Sequence, residues 1–99
     1  MLKRKLATLI FKMPRGILLV KHIFPRKFGL PGGGIKFGEK VEEAAKRELF
    51  EETGLKIKEL KYLFDFNSLL QKHKVFLASA DGKLKLNWEL IDYKFLNEV

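Results

Sequence analysis

Cysteine occurs nowhere in the 99 residues, which excludes a disulfide framework, a thiolate metal site and thiol redox chemistry. A reducing, cytoplasmic location is the expectation. Long apolar runs are also missing. The stretch that follows the basic Met1 to Arg4 is cut by Lys12, Pro14 and Arg15, too early for a transmembrane span and without a secretory cleavage pattern, so a soluble chain with no membrane partner is expected. No Gly-x-Gly-x-x-Gly turn leads into a helix and no Gly-Lys-Ser/Thr is present, which sets aside two familiar phosphate-binding loops. Acids are the minority. Twelve of them face twenty Lys and Arg, a net charge of +8 that favours anionic partners such as nucleotides or RNA. Sixteen of the twenty are lysines scattered over the whole chain, the pattern of a solvated surface, so charge alone names no partner.

What is present suits one domain over residues 1–99. At 46% hydrophobic the chain can bury roughly 60 to 65% of the surface it exposes when unfolded. Lys5 to Phe11 and Ile17 to Lys21 read as strands of an opening hairpin turned at Met13-Pro14-Arg15-Gly16. Ile23 to Phe28 reads as a loop broken by Pro25. Gly29 to Gly34, with four glycines and a proline, reads as irregular backbone that something approaches closely. Glu39 to Thr53 is a helix that Gly54 stops. Lys56 to Phe66 and His73 to Ala80 read as strands, Asp81-Gly82 as a tight hairpin into Lys83 to Leu86, and Tyr93 to Leu96 as a last strand. The order predicts an α/β fold with a largely antiparallel or mixed sheet.

The helix carries the chemistry. Glu48, Glu51 and Glu52 stand at i, i+3 and i+4, three carboxylates on one face within a turn, with Ala44 and Ala45 beside them and Val41 and Leu49 as core anchors. On its own such a trio is most often a solvated face with Arg47 and Glu51 as a simple pair. Gly32, Gly33 and Gly34 change that, because they offer backbone N–H groups just ahead of the helix, where an anion is welcome. Oxygen ligands without His or Cys point to a hard ion, Mg²⁺ or in its place Mn²⁺.

Gly33, five residues, Glu39, seven residues, then Arg47-Glu48-Leu49-Phe50-Glu51-Glu52-Thr53-Gly54-Leu55 resembles the complete Nudix box, Gly-x5-Glu-x7-Arg-Glu-U-x-Glu-Glu-x-Gly-U with U aliphatic. At average composition that pattern arises by chance on the order of once in 10⁹ starting points, so coincidence is set aside. The resemblance implies a compact Nudix-like mixed sheet with the box helix. The second, C-terminal helix usual in the family is expected to be absent or truncated, which leaves a sheet face exposed for substrate or for a homodimer.

The resemblance further implies Mg²⁺-dependent hydrolysis of a phosphoanhydride in a nucleoside diphosphate linked to another group. Glu48, Glu51 and Glu52 would be metal ligands with Gly33 beside them. Arg47 and Glu39 would form the ion pair that orients the ligands, and Glu48 or Glu89 would act as the general base. Gly32, Gly34, Lys36 and Phe37 are the substrate-binding candidates. Lys36 departs from the acid many relatives hold there, and would either add a phosphate contact in place of a metal ligand or simply be exposed. Phe24, Phe28, Phe66, Trp88 and Tyr93 are further aromatic candidates for stacking on a base, and His22 and His73 are secondary candidates for the base. Proline is absent after Pro31, as is a tyrosine at the spacing typical of diadenosine polyphosphate hydrolases. Elimination leaves nucleoside triphosphates, oxidised ones included, or a 5′ RNA end. The alternative is a non-catalytic module that binds nucleotide or RNA.

Overall fold

In the computed structural model, residues 4–22, 26–85 and 90–97 are described. They form strands β1 (Arg4–Met13), β2 (Gly16–His22), β3 (Phe28–Gly29) and β4 (Gly32–Gly34), helix α1 (Val41–Thr53), then β5 (Lys56–Asn67), β6 (Gln71–Asp81) and β7 (Leu90–Leu96). The result is the expected mixed sheet. Its order is β3-β2-β1-β6-β5, with β4 beside β1 and β7 beside β2; β1 and β6 run parallel and the other pairs antiparallel. One helix lies among the described residues, and none of their helices is long and apolar enough to cross a membrane.

The opening hairpin forms as expected, though it pairs only at Lys12 with Ile17 and Met13 with Gly16. A strand has two edges: β6 occupies one edge of β1 from Arg4 to Phe11, so β4 and β2 share the other in succession. Within the glycine tract Leu30 and Pro31 are irregular as expected, but Gly29 and Gly32 to Gly34 are strand. Leu6, Ala7 and Thr8 pair with Gly34, Gly33 and Gly32, and a strand without side chains lets other groups approach its backbone. Asp81-Gly82 does not turn a hairpin. β1 pairs β6 as far as Ala78 and β5 pairs it to Asp81, so a strand after Gly82 would find an open edge only along Ser79 to Asp81. Lys83 to Lys85 is irregular instead, and the Lys85 N–H donates to the Thr53 carbonyl at 2.7 Å. Leu86 lies outside the described residues.

The helix begins two residues later than the sequence suggests. Lys40 caps it in extended conformation, and its N–H donates to Glu43 Oε1 at 3.1 Å. At the other end Gly54, at φ +74°, accommodates the left-handed cap that a side chain would disfavour. Between them Ala44, Ala45 and Leu49 are buried against Ala7, Leu9 and Phe11 of β1 and against Phe76 and Ala78 of β6, with Val41 packed at the margin. Burying Leu49 alone contributes about 2 kcal/mol. The two alanines let the helix lie close to the sheet, which brings its carboxylates to the glycine strand.

On the opposite face Val75 is buried, but part of the surface is open among the described residues. Phe64 and Phe66 of β5 and Leu77 of β6 are exposed there, beside Thr8, whose Oγ1 lies 2.9 Å from His73 Nδ1.

Candidate active site

The glycine strand meets the helix through three consecutive contacts. Gly32 N–H donates to Glu52 Oε1 at 3.0 Å, which supplies a partner for a carboxylate that is only 5% exposed. Gly33 lies so close to Glu48 that an added Cβ would fall 2.5 Å from Oε2 and 2.7 Å from Oε1, separations no side chain tolerates. The Gly34 carbonyl accepts from Arg47 Nη2 at 3.0 Å.

Arg47 organises the rest. Its Nε donates to Glu39 Oε2 at 2.7 Å and its Nη2 to Glu39 Oε1 at 2.9 Å, a bidentate pair. Nη1 donates to Glu48 Oε1 at 2.9 Å and to Glu51 Oε2 at 3.3 Å. Glu39 is held by its own loop as well, through Lys36 N–H to Oε1 at 3.0 Å and Glu39 N–H to the Lys36 carbonyl at 3.0 Å. The Arg47 guanidinium, followed by the Lys36 amide, lowers the Glu39 carboxyl from 4.5 to about 2. Arg47 is raised in turn, mainly by Glu39 and then by Glu48 against the cost of burial.

Glu39, Arg47, Glu48, Glu52 and the three glycines are therefore brought together. The carboxylates are nevertheless not one open cluster. Glu52 turns inward to Gly32, while Glu48 and Glu51 share Arg47, so among the described residues no three His, Asp or Glu side chains are grouped as a preformed ion cage. The physical reason is repulsion: three like charges within a turn are stabilised by the donors at hand, an N–H and a guanidinium. The donor set still fits a hard divalent ion. It is all oxygen, and the absence of a side chain on Gly33 lets the Glu48 carboxylate lie against the strand backbone.

Other candidates lie apart. The Lys36 and Phe37 side chains are exposed, Phe37 fully. Phe28 lies under the ammonium groups of Lys94 and Lys21, at 4.3 and 5.4 Å from the ring centre. Tyr93 packs on Phe95, His22 ends β2, and His73 meets Thr8 and Phe66. Glu89, Phe24 and Trp88 fall outside the described residues. Two features escaped the sequence reading. Phe64 belongs with Phe66, a pair that alternation on β5 signals. The Gly34 carbonyl completes the Arg47 cluster, and no local pattern marks it.

The NUDIX domain family model matches residues 1–97. The chain is 45% identical over 62 residues to YtkD of Bacillus subtilis, assigned as an 8-oxo-dGTP diphosphatase, covering 63% of this chain and 38% of that protein. It is 29% identical over 92 residues to the nucleoside triphosphatase NudI of Escherichia coli O139:H28, covering 77% and 65%. A crystal structure from Chromobacterium violaceum assigned to the nudix hydrolase family superposes with a TM-score of 0.86 at 36% identity, over 95% of this chain and 62% of that one. The chain thus spans less than two thirds of the length of each.

Proposed function

Since the chain belongs to the Nudix family, we propose that it is a cytoplasmic, Mg²⁺-dependent pyrophosphohydrolase acting on nucleoside diphosphates linked to another group, with nucleoside triphosphates, oxidised ones included, as its leading substrates. The observation that carries this reading is the contact of Gly33 with Glu48, locked from behind by Arg47 and Glu39. A module that only bound nucleotide would have no need to keep every box acid in a fixed arrangement.

Glu48, Glu51 and Glu52 would hold the ion. When bound, Mg²⁺ neutralises the phosphate oxygens and makes water a better nucleophile. The chain's own groups supply position and proton transfer. Arg47 Nη1 engages Glu48 Oε1, which leaves Oε2 to take a proton from the water attacking phosphorus. Glu89 is the second candidate for that proton. The Gly32 to Gly34 backbone and Lys36 would lie along the phosphates.

The base would stack on the sheet face where Phe64 and Phe66 are exposed. Gly32 is in register with Thr8, Thr8 with Val75 and Val75 with Phe64, so one row of residues leads across four strands, about 14 Å, from the glycine strand to the exposed aromatics. Both of the named relatives act on nucleoside triphosphates by name, which supports the substrate class. The experiment is a panel of nucleoside triphosphates, 8-oxo-dGTP and 5′-triphosphorylated RNA, incubated with Mg²⁺ or with EDTA and scored for phosphate, pyrophosphate and nucleoside monophosphate. Metal-dependent release from one or more members is expected. Binding of the panel without any release would instead establish a nucleotide-binding module.

A further inference from the structure

We infer that a second phosphate-binding site lies on the helix-bearing face of the sheet, in the cleft beyond the start of α1 where Lys5, Lys72 and Lys74 meet Asn67 beside Ile35 and Val41. The cleft measures about 450 Å³, within the range of roughly 300 to 1,000 Å³ typical of small-ligand sites. Glu39 and Asp65 also line it, whereas Glu48, Glu51 and Glu52 do not.

Strand register builds the site. Lys5 of β1 is opposite Lys72 of β6, and Lys72 is opposite Asn67 of β5, so the three side chains leave the same face of the sheet. Like charges directly opposite one another destabilise a sheet. Among the described residues neither Lys5 nor Lys72 has a carboxylate partner. The two acids of the cleft already have other donors: Asp65 accepts from Lys74 at 3.0 Å and from the Tyr62 hydroxyl at 2.6 Å, and Glu39 accepts from Arg47 and from the Lys36 amide. Lys72 feels Asp65 only through space and neither ammonium is held in an ion pair among the described residues, so the two lysines, next to an amide, suit an anion with several acceptor oxygens. The apolar Ile35 and Val41 at the same cleft suit the sugar or base attached to it. A phosphate ester has both properties.

The ester could be that of a free nucleotide or of an RNA phosphodiester. Amide NMR titrations of the whole chain with adenosine monophosphate, and separately with a short 5′-hydroxyl oligoribonucleotide, distinguish the two, and neither ligand contains a phosphoanhydride. The expected result is shifts centred on Lys5, Lys72, Lys74 and Val41, with binding that weakens between about 50 and 200 mM salt. Saturation by the monophosphate identifies a nucleotide site, and response to the oligomer alone identifies a phosphodiester site. Lys5→Ala with Lys72→Ala should weaken binding about tenfold or more without lowering Tm, since a repulsion is relieved. Glu52→Gln should leave binding at this cleft intact, which keeps the inference separable from the hydrolase reading. Shifts confined to Gly33 and the box, undiminished binding by the double variant, or binding that disappears with Glu52 would each overturn it.

Discussion

Arg47 spends all five of its N–H donors on the box: two on Glu39, one each on Glu48 and Glu51, and one on the Gly34 carbonyl. Only a guanidinium offers that planar fork, and a lysine would keep the charge while losing the geometry. The pair gives a pH signature. Because the Glu39 carboxyl is depressed from 4.5 to about 2 in the folded chain, its contribution to stability is fully present above about 4.5 and is lost as pH falls toward 2. Melting curves of the wild type and of Glu39→Gln should therefore differ near pH 6 and converge by about pH 2; a gap that stays constant through this range would mean the pair has no preferential hold on the ionised form. Gly33 makes a sharper demand. Gly33→Ala forces the Glu48 carboxylate away, and since a displacement of about 1 Å at a reacting group can cost 10²-fold, kcat should fall by about that factor. Wild-type turnover by this variant would show that the contact has no part in the reaction.

At the scale of elements, α1 presents two different faces because of its composition. Alanines and Leu49 sit at the positions that face β1 and β6, while the glutamates occupy the flank that meets β4. The sheet is equally two-sided. On β5 the residues paired with Lys74 and Phe76 face the helix, and those paired with Val75 and His73, namely Phe64 and Phe66, do not. An aromatic pair exposed in this way is suited to stacking. Phe66→Ala should raise KM for a nucleoside triphosphate several-fold, since stacking is worth about 1 to 3 kcal/mol per base, while kcat stays near that of the wild type because binding is lost equally in ground and transition states. An unchanged KM in steady-state kinetics would move the base elsewhere on the surface.

For the whole molecule, the arrangement of Glu48, Glu51 and Glu52 predicts a metal response of the fold itself. An ion that binds only the native state stabilises it by mass action, about 2.7 kcal/mol at a hundred times its Kd. Millimolar Mg²⁺ should accordingly raise Tm, by roughly 4 to 8 °C for each kcal/mol of stabilisation in a domain of this size, and changing all three glutamates to glutamine should abolish the rise. A calorimetric Tm indifferent to Mg²⁺ would identify the trio as an ordinary charged helix face.

The sequence by itself determined the helix and its stop at Gly54, the strands Lys56–Asn67 and Gln71–Asp81 to within two residues, and the family, because helix propensity, alternation and the spacing from Gly33 to Leu55 are local properties of the chain. It also named Arg47 and Glu39 as partners, which the structure places 2.7 Å apart. Only the tertiary structure decided that Gly32 to Gly34 is a strand, that Asp81-Gly82 turns no hairpin, and that the carboxylates are divided between Gly32 and Arg47. Each depends on which strand edges are already occupied and which donors lie nearby. Lys5 faces Lys72 across 67 residues of chain for the same reason: the parallel pairing of β1 and β6 sets that register, and no window of sequence contains both partners.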